Sequence, residues 1–345
     1  MTIELPVLRL GLVGFTAEQQ QTLGSVAATA GSGGMVWEIS KLQDADAWWV
    51  NGARCQLLTD GSVRVASGVP GGRSLQLNLA DVDRPIAFCG PLPRGFEPDH
   101  FFALESVPSM KIVLRKFENW LSPLAAQFCL ASHVVENEGA LAAGVYHVSN
   151  HGTLLAVVDL QGEVGVLPTA GPIDFDEAVW HHRPAGAGAI PAGFVQASLS
   201  QLMWQYALRT SRDVLPRRYR KGALYFRRPP RVAQRLLKDS HLLLMRELSC
   251  EAGSFEELQH RTGMPANSLA HYLGALYLVG AITANPKRAA MTTPVARRAE
   301  PAVVSQSPSN SLPSGLEPDS GAPVQQLQVR ARFADLTAPA PMGGL

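Results

Sequence analysis

The feature that most constrains this chain is a concentration of positive charge in its interior. Residues 209–238 carry 11 Lys or Arg and one acid, a net +10, whereas residues 1–208 carry −8 and residues 239–345 carry −1. A block of like charge cannot form a core of its own, and its flanks are apolar, so it reads as a junction between folded units. The chain has 345 residues, 46% of them hydrophobic and 17% charged, which excludes wholesale disorder and suffices for two or three domains. Its overall charge of +1 points to neither nucleic acid nor membrane; the asymmetry is local. Cys55, Cys89, Cys129 and Cys250 form no C-x-x-C pair, against a zinc ribbon or redox motif and in keeping with a reducing compartment. The first residues lack a basic n-region, and no apolar run reaches about 18 residues. The expectation is a soluble, cytoplasmic protein with no membrane contact.

Strand and helix signals alternate over residues 1–95, predicting an α/β domain. An apolar run at 8–13 precedes Thr16, an N-cap for a helix at 16–30. Further strands are expected at 35–39, 47–50 and 85–89, with a hairpin formed by 62–66 and 74–79. Residues 105–210 predict an α+β domain: a helix at 110–135, a meander at 144–148, 154–160 and 163–167, and a helix at 194–209. The basic segment 211–231 is expected to be a hinge. Beyond it come a helix at 232–247, a capping box from Ser254 to Glu257, a turn at Gly263-Met264-Pro265, a helix at 267–279 and a strand at 280–283. Residues 285–345, rich in Pro, Ser and Ala, predict a disordered tail.

In its alternation the N-terminal segment resembles the receiver domain of response regulators. That family implies an acid cluster after the first strand, an aspartate ending the third and a lysine near the fifth. Here those positions hold Gly14-Phe15, Asn51-Gly52 and Cys89-Gly90-Pro91. Asn51 cannot form an acyl phosphate, so the resemblance implies a pseudo-receiver without a phosphoacceptor, used for docking. Residues 232–284 are similar to a winged helix, which implies that the helix at 267–279 offers Asn267, Ser268, His271 and Tyr272 as base contacts.

The basic segment interleaves cations with aromatic rings at Arg217, Arg218, Arg220, Lys221, Tyr225, Arg227, Arg228 and Arg231. Guanidinium groups neutralise phosphates and rings stack on bases, so these residues suit a cyclic dinucleotide or DNA; the alternative is pairing with the acidic surface of residues 1–208. Arg227-x-x-x-Arg231 resembles the arginine half of the PilZ cyclic-di-GMP motif without its downstream half. His147-x-Ser149-x-x-Gly152 partly echoes that half, but upstream. Asp174, Asp176, Glu177, His181 and His182 are spaced poorly for a metal and read as a solvated loop. Ser132-His133 has no nucleophile elbow around it.

The expected function is that of a non-catalytic bacterial signalling or regulatory protein, without metal or cofactor. It would dock a protein partner and engage a phosphate-bearing ligand or nucleic acid through the hinge. A DNA-binding transcriptional regulator, a cyclic-di-GMP effector and a ligand-free adaptor are the alternatives.

Overall fold

The computed structural model describes residues 4–290, apart from 32, 33 and 185. Most of the expected tail, 291–345, lies outside the described residues. Residues 285–290 are folded onto the rest, since the Ala290 N–H donates to the Phe226 carbonyl at 2.9 Å.

The first unit runs β1 (Val7–Val13), α1 (Ala17–Ala28), β2 (Val36–Ser40), β3 (Ala47–Asn51), β4 (Cys55–Leu57), β5 (Val63–Val65), β6 (Leu75–Leu77), β7 (Ile86–Cys89), β8 (Phe101–Phe102) and α2 (Val107–Asn137). Five strands form a parallel sheet in the order β2-β1-β3-β7-β8, and β4-β5-β6 form a separate antiparallel sheet. With that small sheet set aside, the parallel strands follow the order 2-1-3-4-5 of one common doubly wound arrangement. Successive side chains on a strand point to opposite faces. Leu8, Leu10, Trp49 and Ala87 therefore meet α1 and α2, while Val13, Val50 and Phe88 meet Val63, Val65 and Leu77 of the small sheet. Helix α1 starts at a capping box: Thr16 Oγ1 accepts from the Gln19 N–H at 3.2 Å, and Gln19 Oε1 accepts from the Thr16 N–H at 3.0 Å. The sheet gains its last strand at 101–102, beyond the boundary expected at residue 95.

The second sheet comprises β9 (Val145–Asn150), β10 (Thr153–Asp159), β11 (Glu163–Val166), β12 (Val179–Arg183) and β13 (Val195–Ser198), with α3 (Pro172–Asp176) before β12. It is antiparallel throughout, in the order β12-β9-β10-β11-β13. Two expectations are corrected here. Residues 174–182 form the end of α3 and strand β12 rather than a loop. The helix expected from 194 begins as β13, and α4 (Leu199–Ala207) starts at the Ser198 N-cap, whose Oγ accepts from the Gln201 N–H.

The remaining elements are α5 (Arg218–Lys221), β14 (Tyr225–Phe226), α6 (Asp239–Cys250), α7 (Phe255–Thr262), α8 (Ala266–Leu278) and β15 (Ile282–Thr283). Ser254 caps α7 with Glu257 across the box, and Gly263 ends it at φ +67°, a left-handed position that suits glycine. Strand β15 pairs with β14, an element that precedes the three helices, rather than with a downstream hairpin.

Two cores meet along α2. Its first half, including Met110, Leu114 and Phe117, packs on the parallel sheet. Its second half, including Phe128 and Leu130, joins the antiparallel sheet, α4 and helices α6–α8 in one continuous cluster. Residues 105–210, 211–231 and 232–284 all contribute to this cluster. Leu215, Tyr219 and Leu224 are buried within it. Each such side chain is worth about 1.5–3 kcal/mol in area removed from water, so the segment expected as a hinge is anchored.

Candidate functional site

The cations of the basic segment divide into two groups. Arg209 makes a bidentate pair with Asp46 at 2.8 and 2.6 Å, joining the end of α4 to the start of β3. Arg9 extends this junction, with Nη2 donating to the Leu208 carbonyl at 2.7 Å. Burial opposes the Arg209 charge, but Asp46 outweighs it and holds the guanidinium above its usual range. Arg212 pairs with Glu4 at 3.4 Å and with Glu136. Arg220 meets Asp213 at 2.5 Å and lies over the Phe255 ring, and Lys238 meets Asp44 at 3.0 Å. Arg220, predicted to bind ligand, is therefore internally paired. No motif in the chain signals the pairs that Arg209 and Arg212 make.

Arg217, Arg218, Lys221, Arg227, Arg228 and Arg231 have no carboxylate partner among the described residues. Several of them gather at the C-terminal end of α8. Tyr219 of α5 packs edge-on against Tyr277 of α8 with ring centroids 4.9 Å apart, and the Arg218 guanidinium lies over the Tyr219 ring. The turn after α8 is Gly280, at φ +67°. A Cβ built there would stand 3.3 Å from Arg228 Nη2 and 3.5 Å from Arg227 Nη1, so both guanidinium groups reach over this one residue. The Arg227 and Arg228 N–H groups both donate to the Ala281 carbonyl, at 2.8 and 3.3 Å, which fixes their backbone. Tyr225 lies half-buried opposite Thr283, and Lys287 and Arg288 stand exposed beyond the turn.

This cluster is electrostatically incomplete. Burial first, and then the charges of Arg227 and Arg231, pull the Arg228 guanidinium below its usual range. Its Nε is buried without a hydrogen-bond partner. The negative end of α8 favours a nearby cation by about 0.3–1 kcal/mol, which accounts for one of these charges but not for Arg227 and Arg231 both acting on Arg228.

The expected base contacts are arranged otherwise. Asn267 is exposed, but Ser268, His271 and Tyr272 are half-buried. Tyr272 packs edge-on against His241, which in turn meets Trp204 of α4. A Cβ at Gly274 would stand 2.8 Å from Val214. Helix α8 lies against the body of the protein, with His271 and Tyr272 half-buried and engaged by rings of the same molecule.

At the carboxyl ends of the parallel strands, backbone fills the space where doubly wound sheets usually hold ligands. Asn51 is buried and satisfied, with Nδ2 donating to the Gly14 carbonyl and Oδ1 accepting from the Ala53 N–H. A Cβ at Gly68 would lie 2.0 Å from the Phe15 carbonyl oxygen, and one at Gly52 would lie 2.1 Å from that of Cys89. His181 and His182 alternate on β12, opposite His147 and Tyr146, and so do not converge. No described helix is long and apolar enough to cross a membrane. Comparison with known proteins finds no matching family model, no matching curated protein and no matching solved structure.

Proposed function

We propose that this chain is a non-catalytic regulatory protein that engages a phosphate-bearing ligand through the arginines at the C-terminal end of α8. One observation carries the reading: Arg227 and Arg228 converge over Gly280, no described carboxylate pairs with either, and Arg228 Nε has no partner. A phosphate group would supply both the missing charge and the missing acceptors. The strand order of the N-terminal sheet supports a receiver-like domain. Its occupied strand ends and the amide at Asn51 favour docking over phosphoryl transfer. The order α6, α7, α8 and β15 supports a winged-helix relationship in which the wing is replaced by β14. Direct base reading by α8 has less support, because that helix packs against α4.

The test uses the full chain and the triple variant R227E/R228E/R231E, titrated with cyclic-di-GMP and with duplex DNA over a range of salt. Loss of binding in the variant is expected. A salt slope of about 0.9 log unit per neutralised phosphate identifies a DNA-backbone contact, and a shallow slope with tight dinucleotide binding identifies the small ligand. Equal affinity of the two proteins for both polyanions overturns the reading.

A further inference from the structure

Strands β9 and β12 set side by side two histidines that the sequence keeps far apart. His147 and His181 are register partners in this antiparallel pair. Directly opposed residues share one face of the sheet, with Cβ atoms about 4.5–5.5 Å apart. His182 points to the other face, where its ring packs edge-on against Tyr146 at 5.1 Å. The adjacent residues His181 and His182 are therefore divided between two faces, and the neighbour of His181 comes from another strand.

The two imidazoles are held differently. His147 is half-buried, and its Nε2 lies 3.0 Å from the Ala187 carbonyl oxygen. A carbonyl only accepts, so in the neutral ring Nε2 carries the proton and Nδ1 keeps the lone pair. That Nδ1 has no hydrogen-bond partner among the described residues. His181 is exposed and makes no hydrogen bond, ion pair or ring contact among the described residues. Each ring thus keeps a nitrogen that the fold does not use. A histidine that ligates a metal almost always donates its other N–H to a carbonyl, a carboxylate or water, which fixes the tautomer and the ring. The Ala187 carbonyl gives His147 that support.

We infer that His147 and His181 together chelate a divalent first-row transition metal at the β12 edge of the antiparallel sheet. Metal–nitrogen bonds of about 2.0–2.1 Å place two ligating nitrogens about 3 Å apart, within reach of rings on opposed residues. No third His, Cys, Asp or Glu forms a metal-holding group with them among the described residues, so water takes the remaining positions. Imidazole suits nickel(II), copper(II) and zinc(II), whereas magnesium prefers oxygen ligands. Arg183 shares the face of His181 two residues on, but it is exposed and solvent screens its repulsion of a cation. The site lies in a different sheet from β14 and β15, which carry the arginine cluster, and stands or falls separately from it.

Calorimetric titration of the full chain with nickel(II) tests this, with magnesium(II) as the control ion. His147→Gln keeps an amide N–H for the Ala187 carbonyl while removing the ring nitrogen, His181→Gln removes the other ligand, and His182→Gln alters the histidine on the opposite face. Saturable nickel binding without magnesium binding is expected, weaker by at least about tenfold in His147→Gln and in His181→Gln and unchanged in His182→Gln. Unchanged circular dichroism shows that the variants fold. Native affinity in either His147→Gln or His181→Gln overturns the chelate, because one imidazole alone is then enough. An equal loss in His182→Gln, equal binding of magnesium, or no saturable nickel binding to the native chain overturns it as well.

Discussion

Residues 209–213 and residues 217–231 are drawn from one cationic segment, yet apart from Arg220, which pairs with Asp213, they sit in opposite electrostatic environments. Arg209 and Arg212 are enclosed by Asp46, Glu4 and Glu136, which come from the residue before β3, the segment before β1 and α2. Arg217, Arg218, Lys221, Arg227, Arg228 and Arg231 make no ion pair with a described carboxylate, and Arg227 and Arg228 crowd one turn with the charge of Arg231 acting on Arg228. The first group joins the N-terminal sheet to the rest of the molecule, and the second remains available to something else. Charge density along a chain therefore reports neither stability nor binding until partners are assigned. The basic segment contains both a structural clamp and a set of cations without a carboxylate partner among the described residues.

The comparison is broken most directly at Arg209. With side chains only 15% and 8% exposed, the Arg209–Asp46 pair is shielded, and Arg209→Ala takes both guanidinium contacts from a buried carboxylate that keeps the Arg9 N–H as a donor. A loss of about 3–5 kcal/mol is expected in urea denaturation. A loss below about 1 kcal/mol would show that the pair is not a clamp.

A second test concerns pH. Burial, reinforced by the charges of Lys238 and His271, pushes His241 down to about 4, while in the unfolded chain it titrates near 6.5. Between these values the unfolded state binds more protons, so stability is full above pH 6.5 and falls as the pH drops toward 4. The loss is up to about 3 kcal/mol by linkage. His241→Gln retains a side chain able to close the box with the Lys238 N–H and should flatten the slope of denaturation midpoint against pH. An unchanged slope would place the titration elsewhere.

The unmatched group should respond in the opposite way. Arg228→Met removes a charge that its neighbours already disfavour, so stability should move by less than about 0.5 kcal/mol, while polyanion affinity falls about tenfold. A large stability loss without a binding effect would assign Arg228 to the fold. The smallest effect is expected at Lys238. Its pair with Asp44 is well exposed, and Lys238→Ala should cost about 0.2–1 kcal/mol, a difference that shrinks as salt is added to the denaturation buffer.

Several elements were legible before any tertiary contact was known. The Ser254–Glu257 box, the Gly263 stop and the period-two alternation at Val63 and Val65 are local signals, and each marks an element seen in the fold. The start of α4 was misread because the apolar spacing of Leu199, Leu202, Met203 and Tyr206 extends no signal into 195–198, where the pairing of β13 with β11 decides. The concentration of cations was equally plain, and so was the absence of an aspartate at Asn51. These features depend on neighbours in the chain, whose spacing is set by covalent geometry.

What only the tertiary structure decided was the partner of each charge. Arg209 meets a carboxylate 163 residues away, and Tyr225 closes a strand with Thr283 across three intervening helices. Such contacts arise when packing brings distant segments within a few ångströms, and Coulomb attraction is decisive only over that range and in that dielectric. The composition of residues 209–238 determined that a large positive charge had to be accommodated. The shared core along α2 determined which part of it would be neutralised inside the molecule and which part would be left at the turn after α8.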